Sequence, residues 1–194
     1  MVQVHVKAIS WGFKSLHPHQ SLVSSEARLF SFLYEVGVLM NDLILKLDAL
    51  CRNTDFDKSY AEALLRQISV NEEYVSPDYG EKMIFLCQAA RHANVEMVKL
   101  LLQFGADVNL VFDDESNCVL WELQYPDLDN CERDADRLVI VKMLLDSGAD
   151  PHIEIEGEDL YYWATQCHIE LDDDSITWDY REAYICLLEA YMAP

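Results

Sequence analysis

The hydrophobic positions of the chain repeat one pattern twice, in residues 95–109 and 138–152. The first copy reads VEMVKLLLQFGADVN and the second reads LVIVKMLLDSGADPH. In both copies apolar residues stand three and four positions apart, which is typical of one side of an α-helix. Gly105 and Gly148 follow where a helix end favours a left-handed residue, a conformation that glycine adopts without steric cost. Each copy therefore predicts a helix that ends at glycine and continues as an extended segment.

A second apolar segment precedes each copy and predicts a first helix, over Phe85–His92 and over Val119–Gln124. The repeating unit is thus helix, turn, helix and extended loop. A helix pair of this kind exposes an apolar side that it cannot bury by itself, so neighbouring pairs must stack. Leu101 and Leu144 occupy equivalent positions in the two second helices, and we expect both side chains in the core.

The two copies resemble the ankyrin repeat. Residues 89–91 (AAR) and 100–109 (LLLQFGADVN) match the second half of that repeat, and residues 142–150 (KMLLDSGAD) match it nearly as well. The TPLH segment that opens the family's repeats is replaced by IFLC at 84–87 and by NCVL at 117–120. The resemblance implies an all-α, ankyrin-like solenoid of stacked helix-turn-helix repeats with short hairpin-like loops. The alternative is an unrelated pair of helical hairpins.

The N-terminal part predicts three helices. A Ser-Ser-Glu helix start at residues 24–26 begins the first, which should run to about Val38. The second, about Asp42 to Cys51, and the third, about Asp57 to Ile68, are similar to an ankyrin helix pair without its Gly-Ala-Asp. The first helix would then be the N-terminal cap. Before it, apolar and polar residues alternate and indicate a short strand at Val2, Val4 and Val6.

The C-terminal part predicts two insertions and a closing repeat. The two Gly-Ala-Asp segments are 43 residues apart, against about 33 in the family, and the excess falls at 125–137. A second insertion is expected at 168–179, between an inner helix that begins at Leu160 and a final helix over about Tyr180 to Tyr191, which should bury Ala183, Leu187 and Leu188. The predicted division is an N-terminal segment and capping helix at 1–40, then repeats at 41–75, 76–110, 111–152 and 153–194.

The charge of the chain is strongly negative and uneven. The formal net charge is −21, and residues 1–75 carry only −2 of it. Residues 76–194 hold seven Lys/Arg and 26 Asp/Glu, a net of −19. This balance makes nucleic acid and anionic membranes poor partners and favours a basic protein. The alternative is that the acidity only keeps the protein soluble.

The cysteines and the N-terminus indicate a reducing compartment. The six cysteines have no metal-type spacing, and Cys51, Cys87, Cys118 and Cys186 lie in apolar helical patterns, so we expect reduced core thiols. No secretory signal is evident. The most apolar stretch, residues 29–50, contains four charged residues, which excludes a simple membrane span. The expected location is the cytoplasm.

Enzyme chemistry is not indicated. The sequence has no GxGxxG, P-loop or GxSxG motif. Cys167 and His168 are neighbours in sequence, which does not make a catalytic pair. Asp172, Asp173 and Asp174 lack the spacing of a calcium loop. We therefore expect no catalysis, no cofactor and no bound metal.

The expected function is a non-enzymatic protein-binding module of the ankyrin type. Stacking should bring acidic hairpin loops and aromatic residues of successive repeats together, an arrangement that suits a protein interface. The candidate partner-binding residues are Asp113, Asp114, Glu115, Trp121, Glu122, Tyr125, Glu156, Glu158, Tyr161, Tyr162 and Gln166. The alternative is an inhibitor or immunity-type protein that blocks a basic enzyme, such as a nuclease, by imitating the charge of a polyanion.

Overall fold

The computed structural model describes residues 25–77, 80–112, 117–124, 131–155, 157–166 and 176–192. The chain divides into two compact units, residues 1–38 and residues 39–194. The described part of the first unit is the beginning of one helix, α1. The strand predicted at Val2, Val4 and Val6 lies outside the described residues.

Helix α1 is continuous from Ser25 to Arg52, so the predicted break between Val38 and Asp42 is wrong. No proline occurs between these positions, and Gly37 does not adopt a positive φ. A glycine inside a helix costs roughly 1 kcal/mol of helix stability, but without a left-handed backbone it does not end the helix. The predicted second helix is therefore the C-terminal half of α1.

The remaining helices follow the predicted order. They are α2 (Lys58–Leu65), α3 (Phe85–Arg91), α4 (Val95–Gln103), α5 (Val119–Glu122), a 3-10 turn (Cys131–Arg133), α6 (Asp134–Asp146), α7 (Leu160–Gln166) and α8 (Ile176–Met192). Helix α2 is shorter than predicted. The second half of the insertion at 125–137 is helical, because the 3-10 turn and the first turn of α6 occupy it.

Short hairpins join the helix pairs, so the structure is helix-rich but not strictly all-α. Strand β1 (Tyr74–Val75) pairs with β2 (Lys82–Met83), and β3 (Glu154–Ile155) pairs with β4 (Glu158–Asp159), both antiparallel. A single bridge between Phe112 and Asn117 marks the corresponding place between them. Each of these places buries an apolar side chain: Tyr74 and Met83 in the first hairpin, Phe112 at the bridge and Ile155 in the last hairpin.

Both Gly-Ala-Asp segments end their helices in the same way, as predicted. Gly105 has a φ of 85° and Gly148 a φ of 92°. The N–H of Ala106 donates to the carbonyl of Leu101, and the N–H of Ala149 donates to that of Leu144, each at 3.0 Å. These bonds satisfy carbonyls that a helix end otherwise leaves without a donor.

Two asparagines link successive extended segments. The Asn109 side chain donates to the carbonyl of Gly148 at 2.9 Å and accepts the N–H of Asp150 at 2.8 Å. Asn71 accepts the N–H of Asp107 at 2.9 Å in the same arrangement, one unit earlier. We call Asn71 and Asn109 the asparagine ladder. Because the two bonds are equivalent, Asn71 occupies the same position in its unit as Asn109 does in the next.

The core runs through all the helix pairs of the second unit. Helix α3 packs on α4 and α5, and α4, α6 and α8 pack in series. Leu101 and Leu144 are both 0% exposed, which confirms their predicted burial.

Helix α8 buries Leu188 as predicted, but the rest of its buried face differs from the prediction. It buries Tyr180, Tyr184 and Leu188, whereas Ala183 and Leu187 are only half-buried. The tyrosine hydroxyls donate to the carbonyls of Leu123 and Leu120 at 2.6 and 2.7 Å. Burial of a tyrosine is tolerated when its hydroxyl finds such an acceptor, and a count of apolar residues alone does not reveal this.

Three of the four described thiols are buried as predicted. Cys51, Cys87 and Cys118 lie in the core, but Cys186 is exposed. The prediction for Cys186 is wrong because it stands beside, rather than on, the buried Tyr184–Leu188 side of α8. The side chains of Cys131 and Cys167 lie outside the described residues.

A buried polar network ties the end of α1 to the next helix pair. Asp48 is 0% exposed and accepts hydrogen bonds from the Tyr74 hydroxyl at 2.7 Å and from Gln88 Nε2 at 3.0 Å. Arg52 forms an ion pair with the same carboxylate. A buried carboxylate is tolerated only with such partners. Asn94 donates to the carbonyls of Leu50, Cys51 and Asn53.

Candidate protein-binding surface

Three aromatic residues of two successive inner helices lie together. Trp121 of α5 and Trp163 of α7 meet edge to face, with ring centroids 5.4 Å apart and ring planes at 90°. Tyr162 packs against Trp163 with centroids 6.1 Å apart at 74°. Perpendicular pairs of this kind are favoured by the ring quadrupoles. We call Trp121, Tyr162 and Trp163 the aromatic cluster.

The aromatic cluster is hydrogen-bonded to the preceding hairpin and is partly exposed to solvent. The indole N–H of Trp163 donates to the carbonyl of Ile155 at 3.0 Å, which ties α7 to the preceding hairpin. Trp121 and Trp163 are half-buried, but Tyr162 is 46% exposed. The cluster is therefore an aromatic surface in contact with solvent at Tyr162, and aromatic residues are common anchors of protein interfaces.

Next to Trp121, Glu122 forms an ion pair inside the chain. Arg91 donates to Glu122 Oε2 from Nε at 3.0 Å and from a terminal nitrogen at 2.6 Å, and the side-chain amide of Asn117 donates to Oε1. The buried Arg137 donates to the main-chain carbonyls of Arg91 and Glu122. The charge of Glu122 is thus neutralised by Arg91, and its main effect is to hold α3 and α5 together.

The hairpin before α7 supplies exposed acids beside the cluster. Glu154 and Glu158 are exposed. Asp159 accepts the main-chain N–H of Tyr162 at 2.6 Å and lies 3.3 Å from His152 Nδ1. Asp159 therefore caps the start of α7, where a negative charge is stabilised by the helix dipole. We call Glu154, Glu158 and Asp159 the acidic hairpin.

The structure brings only part of the predicted site together. Trp121, Glu122 and Tyr162 lie in one neighbourhood, and Glu158 lies two residues before α7. Tyr161 instead reaches α8, where its hydroxyl donates to Glu189 at 2.9 Å, and Gln166 is exposed at the end of α7. The other predicted site residues lie outside the described residues, namely Asp113, Asp114, Glu115, Tyr125 and Glu156.

The predicted site omits Trp163 and Arg91, and it omits Glu154 and Asp159 of the acidic hairpin. Trp163 follows two predicted residues, Tyr161 and Tyr162, and an aromatic run at the start of an inner helix was the available signal. Arg91 carries no such signal, because its partner Glu122 is 31 residues away in sequence. Contacts of that kind appear only when the helices are stacked.

The stretch of sequence that contains Tyr162 and Trp163 is strongly acidic. From Met143 to Tyr180 there are eleven Asp/Glu and no Lys or Arg. Tyr162 and Trp163 lie in the middle of this stretch. A surface of one sign attracts partners of the opposite sign and raises their rate of association.

The described residues offer little for nucleophilic or metal chemistry. Burial raises the pKa of the Cys51 and Cys87 thiols well above the ordinary value and raises that of Cys118 to about 11. The thiolate is the reactive form of cysteine, so these thiols stay protonated and unreactive at neutral pH. Within the described ranges no group of three or more His, Cys, Asp or Glu could hold a metal ion.

Helix pairs with left-handed glycine ends, joined by short hairpins, define a helical repeat protein. Residues 86–112 match the family model of the ankyrin repeat. This match supports an ankyrin-repeat protein, and it covers one repeat of the chain. That repeat is in general a non-enzymatic protein-interaction domain. None of the curated proteins matches the chain. Among the described helices, none is long and apolar enough to cross a membrane.

Proposed function

We propose that the chain is a non-enzymatic protein-interaction module and that its partner is a basic protein. The observation that carries the proposal is that Tyr162 and Trp163, which pack with Trp121, lie in a stretch of 38 residues, Met143 to Tyr180, with eleven acids and no Lys or Arg. Aromatic anchors give an interface most of its affinity, and the surrounding charge selects the sign of the partner.

The proposed architecture is a stack of ankyrin-type repeats at 41–75, 76–110, 111–152 and 153–194, with the first part of α1 as the N-terminal cap. The asparagine ladder supports the degenerate first repeat, because Asn71 makes the bond to Asp107 that Asn109 makes to Asp150. In this stack the inner helices and hairpins form one face. The aromatic cluster and the acidic hairpin lie on it.

The partner-binding residues are proposed in two groups. Trp121 and Tyr162 are the proposed anchors, and Tyr125, Tyr161 and Gln166 complete the uncharged part of the proposed set. The acids that attract the partner are Asp113, Asp114, Glu115, Glu156 and Glu158, while Glu122 serves mainly to pair with Arg91. A cytoplasmic location and the absence of nucleic-acid or membrane binding belong to the same proposal.

The test is capture of the partner from native lysate by the immobilised chain, with two variants that remove the same charge. Glu154→Gln/Glu158→Gln neutralises two exposed acids of the acidic hairpin, and Glu72→Gln/Glu73→Gln neutralises two exposed acids before β1. We expect a basic protein that the first variant retains poorly and the second retains like the parent chain. An acidic partner, or one released by nuclease treatment, would contradict the proposal. A captured basic enzyme that loses its activity on binding would favour the inhibitor alternative.

A further inference from the structure

The aromatic cluster reaches solvent mainly at Tyr162. The only polar atom of the Trp163 side chain is already bonded to Ile155. Tyr162 is 46% exposed and packs against Trp163 at 74°. Because the ring faces carry the negative end of the aromatic quadrupole, an open aromatic surface attracts cations.

Other aromatic residues of this chain already have a cation beside them. The guanidinium of Arg66 lies 5.8 Å from the ring centroid of Phe104, that of Arg137 lies 5.9 Å from Tyr180, and Lys142 Nζ lies 5.9 Å from Tyr191. None of these three contacts involves Trp121, Tyr162 or Trp163. The aromatic cluster, which is exposed at Tyr162, is thus a candidate site for a cation from outside the chain.

The neighbouring charges favour the same occupant. Glu158 is exposed on β4, and the Asp159 carboxylate lies against the main chain of Tyr162. A cation that reached the rings would therefore meet carboxylates at the edge of the cluster. Among natural cations, the planar guanidinium of arginine stacks on aromatic faces and is less strongly hydrated than the ammonium of lysine.

We infer that the aromatic cluster receives an arginine side chain of the partner, with its guanidinium group against Tyr162 and Trp163. This inference rests on the proposed function and names the group that the interface recognises. If the guanidinium group stacks on the rings, arginine should bind more tightly than lysine at equal charge. Attraction between net charges alone predicts no such difference.

The experiment measures binding of two acetylated peptide amides, octa-arginine and octa-lysine, to the full chain by calorimetry. They carry equal charge and differ in the guanidinium group. The variant Tyr162→Ala removes an exposed ring of the cluster, and Tyr162→Phe keeps the ring. The matched control is Tyr60→Ala, because Tyr60 of α2 is 44% exposed but lies outside the cluster. Trp121→Leu tests the contribution of α5 to the site, and thermal unfolding of this variant checks that it is folded.

The expected result is that Tyr162→Ala weakens octa-arginine binding about two- to fivefold, the effect of one exposed cation–π contact. Trp121→Leu should weaken it as well, whereas Tyr162→Phe and Tyr60→Ala should bind like the parent chain. Octa-lysine should bind the parent more weakly than octa-arginine.

Equal affinity of the two peptides, or equal losses in Tyr162→Ala and Tyr60→Ala, would overturn the arginine inference. The proposed function would survive that result if binding remained salt-dependent and the lysate experiment still recovered a basic protein. Failure of both peptides to bind the parent chain would overturn the inference directly. Failure of the lysate experiment would overturn the proposed function.

Discussion

At the scale of single residues, the repeat register makes a quantitative prediction for the core. Leu101 and Leu144 are equivalent and both 0% exposed. Leu101→Ala and Leu144→Ala should each lower the free energy of unfolding by about 2–5 kcal/mol, measured by urea denaturation. Val139→Ala, at a position that is 47% exposed, is the control and should cost much less. Losses below about 1 kcal/mol at both leucines would contradict the register.

His92 makes a prediction about pH. Its Nε2 is buried with no hydrogen-bond partner, and its pKa is lowered by burial first and then by Arg133, Arg52 and Arg91, with Asp48 acting in the opposite direction. The unfolded chain takes up this proton near the ordinary pKa of about 6.5, and the folded chain only at lower pH. The stability due to neutral His92 is therefore complete above about pH 6.5 and is lost as the pH falls toward the folded pKa.

The measurement compares the parent chain with His92→Gln, which cannot take up that proton. Free energies of unfolding are determined between about pH 7.5 and 5.5, across the ordinary histidine pKa. The parent should lose more stability over this range than His92→Gln. Because all other titrating groups are common to both chains, parallel curves would show that His92 makes no contribution.

At the scale of elements, the asparagine ladder links one extended segment to the next. Asn109→Ala removes two hydrogen bonds between successive segments and should cost about 1–3 kcal/mol, since each such bond is worth about 0.5–1.5 kcal/mol. Asn109→Asp keeps the acceptor for the Asp150 N–H but places a negative oxygen against the carbonyl of Gly148, so its cost should be at least as large. Urea denaturation of both variants tests this order. An Asn109→Ala chain as stable as the parent would mean that water replaces these bonds.

The sequence predicts a helix boundary correctly where one residue is enough to set it. Gly105 and Gly148 mark helix ends by themselves, because the required backbone conformation belongs to one residue. The continuity of α1 is harder to predict, because nothing at residues 38–42 signals either an end or a continuation. The face used by α8 is harder still, because Tyr180 and Tyr184 are buried against carbonyls 57 and 64 residues away.

The candidate site shows the same division. Trp121 and Tyr162 could be selected from the sequence as aromatic residues at the starts of inner helices, and they do lie together through Trp163. The pairing of Glu122 with Arg91 and the turn of Tyr161 toward Glu189 depend on how the helices stack. Residue type therefore predicts candidates for a surface, whereas packing decides which of them remain available to a partner.

At the scale of the whole molecule, charge should govern how fast the partner arrives. Residues 76–194 carry a net charge of −19. Exposed charges are screened beyond about 8 Å at physiological ionic strength, so association with the recovered basic partner should slow markedly as salt rises. Glu154→Gln/Glu158→Gln should reduce the association rate more than it raises the dissociation rate.

Surface-plasmon kinetics at two salt concentrations test this prediction. Trp121→Ala is the contrasting variant, because loss of an anchor should mainly speed dissociation, at a cost on the order of 2 kcal/mol of binding free energy. Association that does not depend on salt would leave the acidity as a means of keeping the protein soluble.

The buried carboxylate of Asp48 has a consequence for cutting the chain into pieces. Its bonds reach Tyr74 and Gln88, 26 and 40 residues downstream, and Asn94 depends on carbonyls at the end of α1. A fragment that starts after Arg52 would lose these bonds, each worth about 0.5–1.5 kcal/mol, and would expose the part of the core that Leu47 and Cys51 cover. The ankyrin repeat at 86–112 is therefore not excisable at its own borders. The shortest autonomous fragment that contains it must begin upstream of Asp48.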